Sequence, residues 1–314
     1  MTLARDVLEG SAQAVARLIS VVENRPADAV PMLRELHAYT GRGHIVGVTG
    51  PPGSGKSSLI DVLVRLARAD GRRVGVVAVD PTSPFTGGAI LGDRVRMQDH
   101  ATDPGVFVRS MATRGHLGGL ALAASGAVEV LDAFGCELIL VETVGTGQAE
   151  VDIVRLADTV TVVTVPGLGD SIQTLKAGVM EIGDLFVVNK ADQGGAERTA
   201  TEIKMMLGLA PDSDGWRPPV LLASALDGTG VPELLRELAR NRAYQESHGL
   251  LDRRRRERRR EEILMIAGAR LRHRLLEQSG SGALDALASQ VAAGELDPYA
   301  AAESLMRNAG FESR

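Results

Sequence analysis

The sequence predicts an α/β protein in which helices cover both faces of a mainly parallel sheet. Two observations lead to this fold class. Short segments rich in Val, Ile and Leu recur without polar alternation, as expected for strands that are covered on both faces, and helical patterns separate several of these segments. The predicted strands span 44–49, 73–79, 106–110, 137–142, 159–165, 185–189 and 219–223, and the helices between them span 57–69, 117–133, 196–207 and 231–246.

Helical patterns flank this α/β core on both sides. Apolar residues recur at helical spacing before Pro26, which interrupts the pattern, and a short second helix is predicted over 28–39. Beyond residue 249 a long helix precedes two short ones over 283–292 and 298–309. We therefore expect a helical N-terminal extension, an α/β core and a helical C-terminal arm that is a candidate for dimerisation. These parts span 1–43, 44–248 and 249–314.

The composition narrows the class of protein. A net charge of -5 argues against broad nucleic-acid binding. The single cysteine, Cys136, excludes an internal disulfide framework and suits a reducing compartment. The six histidines are scattered, so no transition-metal cluster is evident. The first residues do not resemble a signal peptide and no apolar run is long enough to cross a bilayer. We predict a cytoplasmic protein without a membrane or nucleic-acid partner.

A phosphate-binding motif lies between the first predicted strand and the next helix. GPPGSGKSS fits G-x-x-x-x-G-K-[ST] in the strand–helix context that this motif requires, which predicts a P-loop NTPase fold. Its glycines let the backbone wrap a polyphosphate, and the helix presents its positive end to the same anion. Lys56 should reach the β- and γ-phosphates and Ser57 should bind Mg²⁺. The predicted phosphate-loop residues are Gly50, Pro51, Pro52, Gly53, Ser54, Gly55, Lys56, Ser57 and Ser58.

Asn189, Lys190 and Asp192 form an Asn-Lys-x-Asp sequence that predicts guanine as the bound base. The Asp192 carboxylate can accept hydrogens from the guanine N1 and 2-amino groups, whereas adenine would leave it poorly paired. Lys190 should lie along the base and Asn189 should brace the loops. A second loop would contact the guanine oxygen through Ser224, Ala225 and Leu226. The expected ligands are therefore GTP and GDP.

Three carboxylates are candidates for the magnesium site together with Ser57. Asp80 and Glu142 end predicted strands, and Asp93 lies in a glycine-containing loop. In a parallel sheet, ligands collect outside the carboxyl ends of the strands, and Mg²⁺ prefers oxygen ligands. We expect Glu142 to end its strand at the metal and the phosphates.

The catalytic candidates are Lys56, Gly145 and Gln148. Gly145 can offer its backbone N–H to the γ-phosphate. Gln148 is a candidate for positioning water, although it lies three residues beyond Gly145. A GTPase that lacks a supplied arginine is slow, and the arginine candidates near the switches are Arg94, Arg109 and Arg114.

The segment 252–262 contains seven arginines. Nucleic-acid binding is one interpretation. Interleaved acids and a following apolar stripe favour a solvated amphipathic helix whose stripe packs on the core or on a second subunit. The stripe comprises Ile263, Leu264, Ile266, Leu271 and Leu275.

Seven segments of the chain form a recognisable set: GPPGSGKSS, AVDPTSPFTGGAILGDRVRM, VFVRSMATRGHLGGL, VETVGTGQAEVDI, VPGLGDSIQTLKAGVMEIGD, VVNKAD and SAL. Taken together, these motifs resemble the MeaB/ArgK family, the accessory GTPases of methylmalonyl-CoA mutase, which includes the human methylmalonic aciduria type A protein. The resemblance covers most of 40–278. Two departures are Ala89, where Ser is expected, and Thr146, usually Val.

The resemblance implies a homodimeric SIMIBI-type P-loop GTPase with slow hydrolysis. Its partner would be an adenosylcobalamin-dependent acyl-CoA mutase, whose cofactor loading and protection it would gate without binding cobalamin directly. The implied switch regions are 80–93, 142–152 and PGLGDSIQTLKAG. In the third, the candidates for a relay to the mutase are Asp170, Gln173 and Lys176, although these residues also suit a capped, solvated helix start.

Three other functions remain as alternatives. A nickel-inserting metallochaperone GTPase should carry a histidine-rich segment or paired Cys/His ligands, which this chain lacks. An ATP-dependent protein kinase linked to amino-acid transport is disfavoured by the Asn-Lys-x-Asp sequence. A signal-recognition-type targeting GTPase should carry a methionine-rich RNA-binding domain, which is absent from this chain.

Overall fold

The computed structural model describes most of the chain. The described residues are 2–81, 100, 102–113, 119–143, 155–167, 179–208, 215–278 and 282–311. Side chains are described throughout these ranges except at 80, 81, 112, 113, 119, 120, 179 and 180.

The described residues form one seven-stranded sheet in which every strand pair is parallel, which confirms the predicted fold class. The strands are β1 (His44–Thr49), β2 (Val74–Pro81), β3 (Val106–Thr113), β4 (Leu138–Thr143), β5 (Thr159–Thr164), β6 (Leu185–Val188) and β7 (Val220–Leu222). They are ordered β3-β2-β4-β1-β5-β6-β7. β1 therefore lies at the centre, so the loop that follows it is flanked by strands on both sides.

Besides β2, which reaches Pro81 instead of the expected 79, two strands run further than the sequence predicted. β3 continues from the expected end at 110 to Thr113, because its last residues pair with Asp80 and Pro81 of β2. β4 continues one residue beyond Glu142, where Thr143 pairs with Val79. Both extensions depend on pairing between strands that are distant in sequence, which a local pattern does not report.

Helices precede, separate and follow the strands. The N-terminal ones are α1 (Leu3–Leu8), α2 (Ala12–Asn24) and α3 (Pro26–Leu36), and a 3₁₀ turn follows at His37–Tyr39. Pro26 therefore begins α3, at a position where its missing N–H costs nothing. The remaining helices are α4 (Lys56–Ala69), α5 (Gly119–Ala133), α6 (Val179–Ile182), α7 (Ala196–Leu207), α8 (Val231–Ser247), α9 (Leu250–Gln278), α10 (Ala283–Ala292) and α11 (Pro298–Asn308).

Apolar helix faces cover both faces of the sheet. On one face, Leu18 of α2 and Leu131 of α5 belong to the cluster that contains Ile45 and Val77. On the other face, Leu59 of α4 packs in a second cluster with Leu234 and Leu238 of α8. The β1 and β4 residues of this second cluster point to the opposite side of the sheet from those of the first. Burying one leucine side chain contributes roughly 2 kcal/mol. The two layers hold the strand ends, and hence the loops they carry, in fixed positions.

Cys136 lies in the first of these clusters. Its side chain is buried, and burial raises the pKa of its thiol to about 12. Because the thiolate is the reactive form of cysteine, this residue is a packing group rather than a nucleophile.

The chain divides into two compact units, Met1–Arg256 and Glu257–Arg314. The first contains the sheet. The second contains the later part of α9 together with α10 and α11, which pack on each other. Within the second unit several large apolar side chains are exposed, with Ile263 65% and Leu264 58% accessible. None of the helices in the described part of the chain is long and apolar enough to cross a membrane.

Candidate nucleotide-binding site

The predicted phosphate loop connects β1 to α4, and its backbone requires glycine. Gly50, Gly53 and Gly55 have φ angles of 140°, 76° and 82°, in the region that L side chains rarely adopt. A Cβ on Gly50 would collide with the Val163 carbonyl of β5, and one on Gly55 would collide with the Asn189 amide. The loop is therefore packed directly against the neighbouring strand and against the predicted base-binding loop.

Lys56 begins α4 and points back into the loop. Its ammonium donates hydrogen bonds to the carbonyls of Gly50 at 2.8 Å and Pro51 at 3.0 Å, and the residue is only 6% exposed. A buried cation is thus held beside the amide-rich start of a helix, whose N-cap residue Gly55 has no side chain to cap it. Positive charge and helix polarity combine at a place suited to an anion.

Ser57 and Glu142 meet at the end of the central strands. The Ser57 hydroxyl donates to the Glu142 Oε1 over 2.7 Å, and both residues are buried, with Glu142 3% exposed. β4 places Glu142 opposite Val48 of β1, two residues before the phosphate loop begins at Gly50. Two of the predicted magnesium ligands are therefore brought together. A third, Asp80, lies on β2 at the same carboxyl end, and its side chain is outside the described residues.

Asn189 connects three loops of the site. Its side-chain amide donates to the Ser54 carbonyl at 2.8 Å, and its side-chain oxygen accepts a hydrogen bond from the Ala225 N–H at 3.1 Å. Its backbone N–H donates to the Thr164 carbonyl at the end of β5. The phosphate loop and the predicted guanine loop are thus joined through one buried side chain.

The other predicted base-binding residues surround Asn189. Lys190 has a φ of 58°, which makes it the only non-glycine residue of the described chain with positive φ. Such strained backbone is common at functional sites. Ser224 is buried, Asp192 is exposed, and Leu226 is 86% exposed. Asp192 and Leu226 are therefore accessible to a ligand that enters from solvent.

Several predicted residues fall outside the described chain. They are Ala89, Asp93, Arg94, Arg114, Gly145, Thr146, Gln148, Asp170, Gln173 and Lys176. Arg109 is described and lies on β3. Its guanidinium forms a 2.7 Å ion pair with Glu23 of α2. Within the described residues, no group of three or more His, Cys, Asp or Glu side chains could hold a metal ion.

Sequence reasoning missed a second polar cluster, at the opposite edge of the sheet. There Arg254 pairs with Asp184 and Arg255 pairs with Asp158. The segment 252–262 was expected to be a solvated helix, and this expectation is wrong for these two arginines. A useful signal was present, because Asp158 and Asp184 each directly precede a strand, and the strand after Asp184 ends at the predicted guanine loop.

Comparisons with known proteins agree with this geometry. A family model described as methylmalonyl Co-A mutase-associated GTPase MeaB matches residues 15–280. A Pyrococcus abyssi protein named as a GTPase is 51% identical over 95% of this chain and 93% of its own length. The Caenorhabditis elegans methylmalonic aciduria type A homolog, named as mitochondrial, is 35% identical over 75% of this chain and 64% of its own length.

A solved structure shows the same fold. The crystal structure of a LAO/AO transport system kinase superposes with a TM-score of 0.73 and 24% identity, covering 97% of this chain and 95% of that one. This likeness concerns the architecture of the sheet and helices alone.

Proposed function

Because the chain belongs to the MeaB family of GTPases, we propose that it binds and hydrolyses GTP to control an adenosylcobalamin-dependent mutase. In this proposal the GTPase gates cofactor loading and protects the mutase, and the client is methylmalonyl-CoA mutase or a related acyl-CoA mutase. The family match over residues 15–280 is the observation that carries the proposal. A cytoplasmic setting, predicted from the composition, is part of it.

The geometry around Asn189 supports a guanine nucleotide. Its contacts place the phosphate loop and the Ala225 loop side by side, so that one ligand can span both. The exposed Asp192 would accept the two hydrogens of guanine, while Lys190 and Leu226 would flank the base. We assign the triphosphate to the loop from Gly50 to Ser58.

Magnesium fits the residues at the end of β4. Ser57 and Glu142 provide buried oxygen ligands that are already hydrogen-bonded to each other, and oxygen is the donor that Mg²⁺ prefers. Asp80 and Asp93 are proposed to complete the protein's contribution. When bound, the ion would neutralise charge on the phosphate oxygens. The protein's own part is to hold Lys56 beside the phosphate loop, from where its charge would also stabilise the phosphate oxygens of a bound nucleotide.

Slow intrinsic hydrolysis is part of the proposal. Gly145 would donate its N–H to the γ-phosphate and Gln148 would orient water. The Arg109 guanidinium is engaged by Glu23 in this structure, so it is a weak candidate for the catalytic arginine. We expect turnover to rise when the mutase binds.

The C-terminal arm is the proposed dimerisation element. Exposed apolar residues of α9, including Ile263 and Leu264, would be covered by a second copy. This would bury a surface that otherwise contacts water, which favours association. Cobalamin is not expected to bind this chain directly.

Base recognition is tested by substituting Asp192. Replacing it with Asn converts a double acceptor into a group that can also donate, so GDP affinity should fall about 100-fold. Xanthosine diphosphate, which presents an oxygen in place of the 2-amino group, should gain affinity. Isothermal titration with both nucleotides measures the change. The matched control is Glu197→Gln, which removes an exposed charge five residues away. Equal GDP affinity in Asp192→Asn and wild type would contradict the assignment.

The partner is tested with purified methylmalonyl-CoA mutase. Immobilised mutase should retain the chain, to different extents in GDP and in a non-hydrolysable GTP analogue. Phosphate release should accelerate at saturating mutase. Absence of binding in either nucleotide, with normal GDP affinity, would remove the mutase role while leaving the GTPase assignment in place.

A further inference from the structure

We infer that Arg254 and Arg255 are positioning residues of the nucleotide site, although they lie at the opposite edge of the sheet. This inference rests on the guanine site proposed above. It concerns the amino ends of β1, β5 and β6, which we call the basal edge. It gives a role to two arginines of the segment 252–262 that the proposed function leaves unexplained.

Arg254 ties β5 to β6. Its guanidinium makes two parallel hydrogen bonds to Asp184, at 2.7 and 2.8 Å, and a third to the Asp158 carbonyl at 2.9 Å. Asp184 in turn accepts a hydrogen bond from the N–H of Val160, at 2.8 Å. The aspartate that precedes β6 is thereby fixed both to the arginine and to the second residue of β5.

Arg255 ties β1 to β5 in the same way. It binds both carboxylate oxygens of Asp158, at 2.7 and 3.0 Å, and donates to the carbonyl of Gly43 at 3.0 Å. Asp158 also accepts a hydrogen bond from the N–H of Ile45, at 3.1 Å. The residue before β5 and the residue before β1 are therefore held by one guanidinium.

Each of these three strands leads to a predicted nucleotide loop or contacts one. β1 ends at the phosphate loop, the β5 carbonyls of Val163 and Thr164 contact Gly50 and Asn189, and β6 ends immediately before Asn189. Asp184 and Asn189 are separated by only the four residues of β6. A short, buried strand is rigid, and its length is about 3.3 Å per residue. Fixing its start therefore fixes the position of its end.

The type of interaction favours positioning over stabilisation alone. Bidentate arginine–carboxylate pairs have a defined geometry, whereas a buried ion pair adds little net stability compared with apolar packing. Both aspartates are almost completely buried, with side chains 2% and 7% exposed. The expected consequence of loosening Arg254 is a displaced β6, and hence a base-binding loop that no longer aligns with the phosphate loop.

The test separates base binding from phosphate binding. We propose Arg254→Lys, which keeps the charge and loses the paired geometry, in the full-length chain. Its GDP affinity should fall 5- to 20-fold, while its affinity for tripolyphosphate, which contacts the phosphate loop alone, should change less than 2-fold. The matched control is Arg256→Gln, an exposed arginine of the same helix, for which both affinities should equal those of wild type.

Two results would overturn the inference. One is a folded Arg254→Lys chain with wild-type GDP affinity, which would make the pair merely structural. The other is an equal loss of GDP and tripolyphosphate affinity, which would indicate general damage to the site. If Arg254→Lys does not fold, Asp184→Asn combined with Arg254→Gln removes both charges without leaving one unpaired. The affinities of this double variant for GDP and for tripolyphosphate then test the inference in the same way. Wild-type chain that fails to prefer GDP over ADP would instead contradict the proposed guanine site.

Discussion

The two edges of the sheet are built on different physical principles. At the nucleotide edge, Gly50 and Gly55 adopt backbone angles that other residues avoid, and Lys56 is held by loop carbonyls. At the basal edge, charged side chains satisfy one another in paired geometry, as Arg255 and Asp158 do. The comparison teaches that the ligand-facing edge combines special local backbone shape with long-range contacts such as that of Asn189 with Ser54, whereas the basal edge depends on paired charges from distant parts of the chain. The same strands connect the two.

The largest expected effect comes from adding one methyl group at the nucleotide edge. Gly50→Ala would place a Cβ against the Val163 backbone carbonyl, which cannot move without shifting β5. We expect GDP affinity to fall at least 100-fold, measured by titration calorimetry. The control is Gly71→Ala, between α4 and β2, where φ is 81° and no atom lies within 4 Å of the added Cβ. That variant should lose only about 1 kcal/mol of stability. Near-wild-type affinity in Gly50→Ala would show that the loop is not rigidly packed.

A smaller effect is expected from the Ser57 hydroxyl. Ser57→Ala removes a proposed magnesium ligand and leaves buried Glu142 without this hydrogen bond. GTP hydrolysis at saturating Mg²⁺ should fall roughly 100-fold, since a metal ion contributes several kcal/mol to the transition state. GDP affinity measured in chelator should change little, because the metal is absent from both proteins. A hydrolysis rate with an unaltered Mg²⁺ dependence would argue against Ser57 as a ligand.

The effect predicted at the basal edge concerns stability and appears only in acid. Burial lowers the pKa of His44 to about 4, from 6.5 in an unfolded chain, while Asp158 and Glu246 oppose this and Arg242 and Arg255 reinforce it. Since the unfolded state takes up the proton first, stability is complete above pH 6.5. It falls as the pH drops towards 4, by up to about 3 kcal/mol.

Urea unfolding at pH 7 and at pH 4.5 measures this loss. His44→Gln keeps a hydrogen-bonding group near Thr159, which His44 Nε2 contacts at 2.8 Å, and removes the titration. The variant should show a correspondingly weaker pH dependence. An equal loss of stability in both proteins would assign the acid sensitivity to other groups.

The same contrast explains what the sequence could predict. The phosphate loop and the Asn-Lys-x-Asp sequence are contiguous, so their chemistry could be inferred from spacing alone. The fold class could be predicted for the same reason, because each strand or helix pattern is contiguous in the sequence. The partners of Arg254 and Arg255 lie 70 and 97 residues away, and no local periodicity indicates them. An arginine-rich helix that packs partly against the sheet has the same sequence pattern as one that is fully solvated.

The extra length of β3 was missed for a related reason. Its final residues Ala112 and Thr113 are weakly apolar, and they extend the strand because β2 continues beside them. Arg109 could be chosen from the sequence as a cation near the site. The orientation of its guanidinium depends on Glu23. That residue lies on a helix whose packing against the sheet could not be predicted from the sequence.

The buried thiol of Cys136 has a practical consequence for measuring motion in this GTPase. It is the single cysteine of the chain, and a side chain enclosed by apolar packing does not react with maleimides while the protein is folded. Cysteines introduced at two exposed positions would then be the only ones to take fluorophores. The distance between those two positions could be followed through the nucleotide cycle on an otherwise unaltered background.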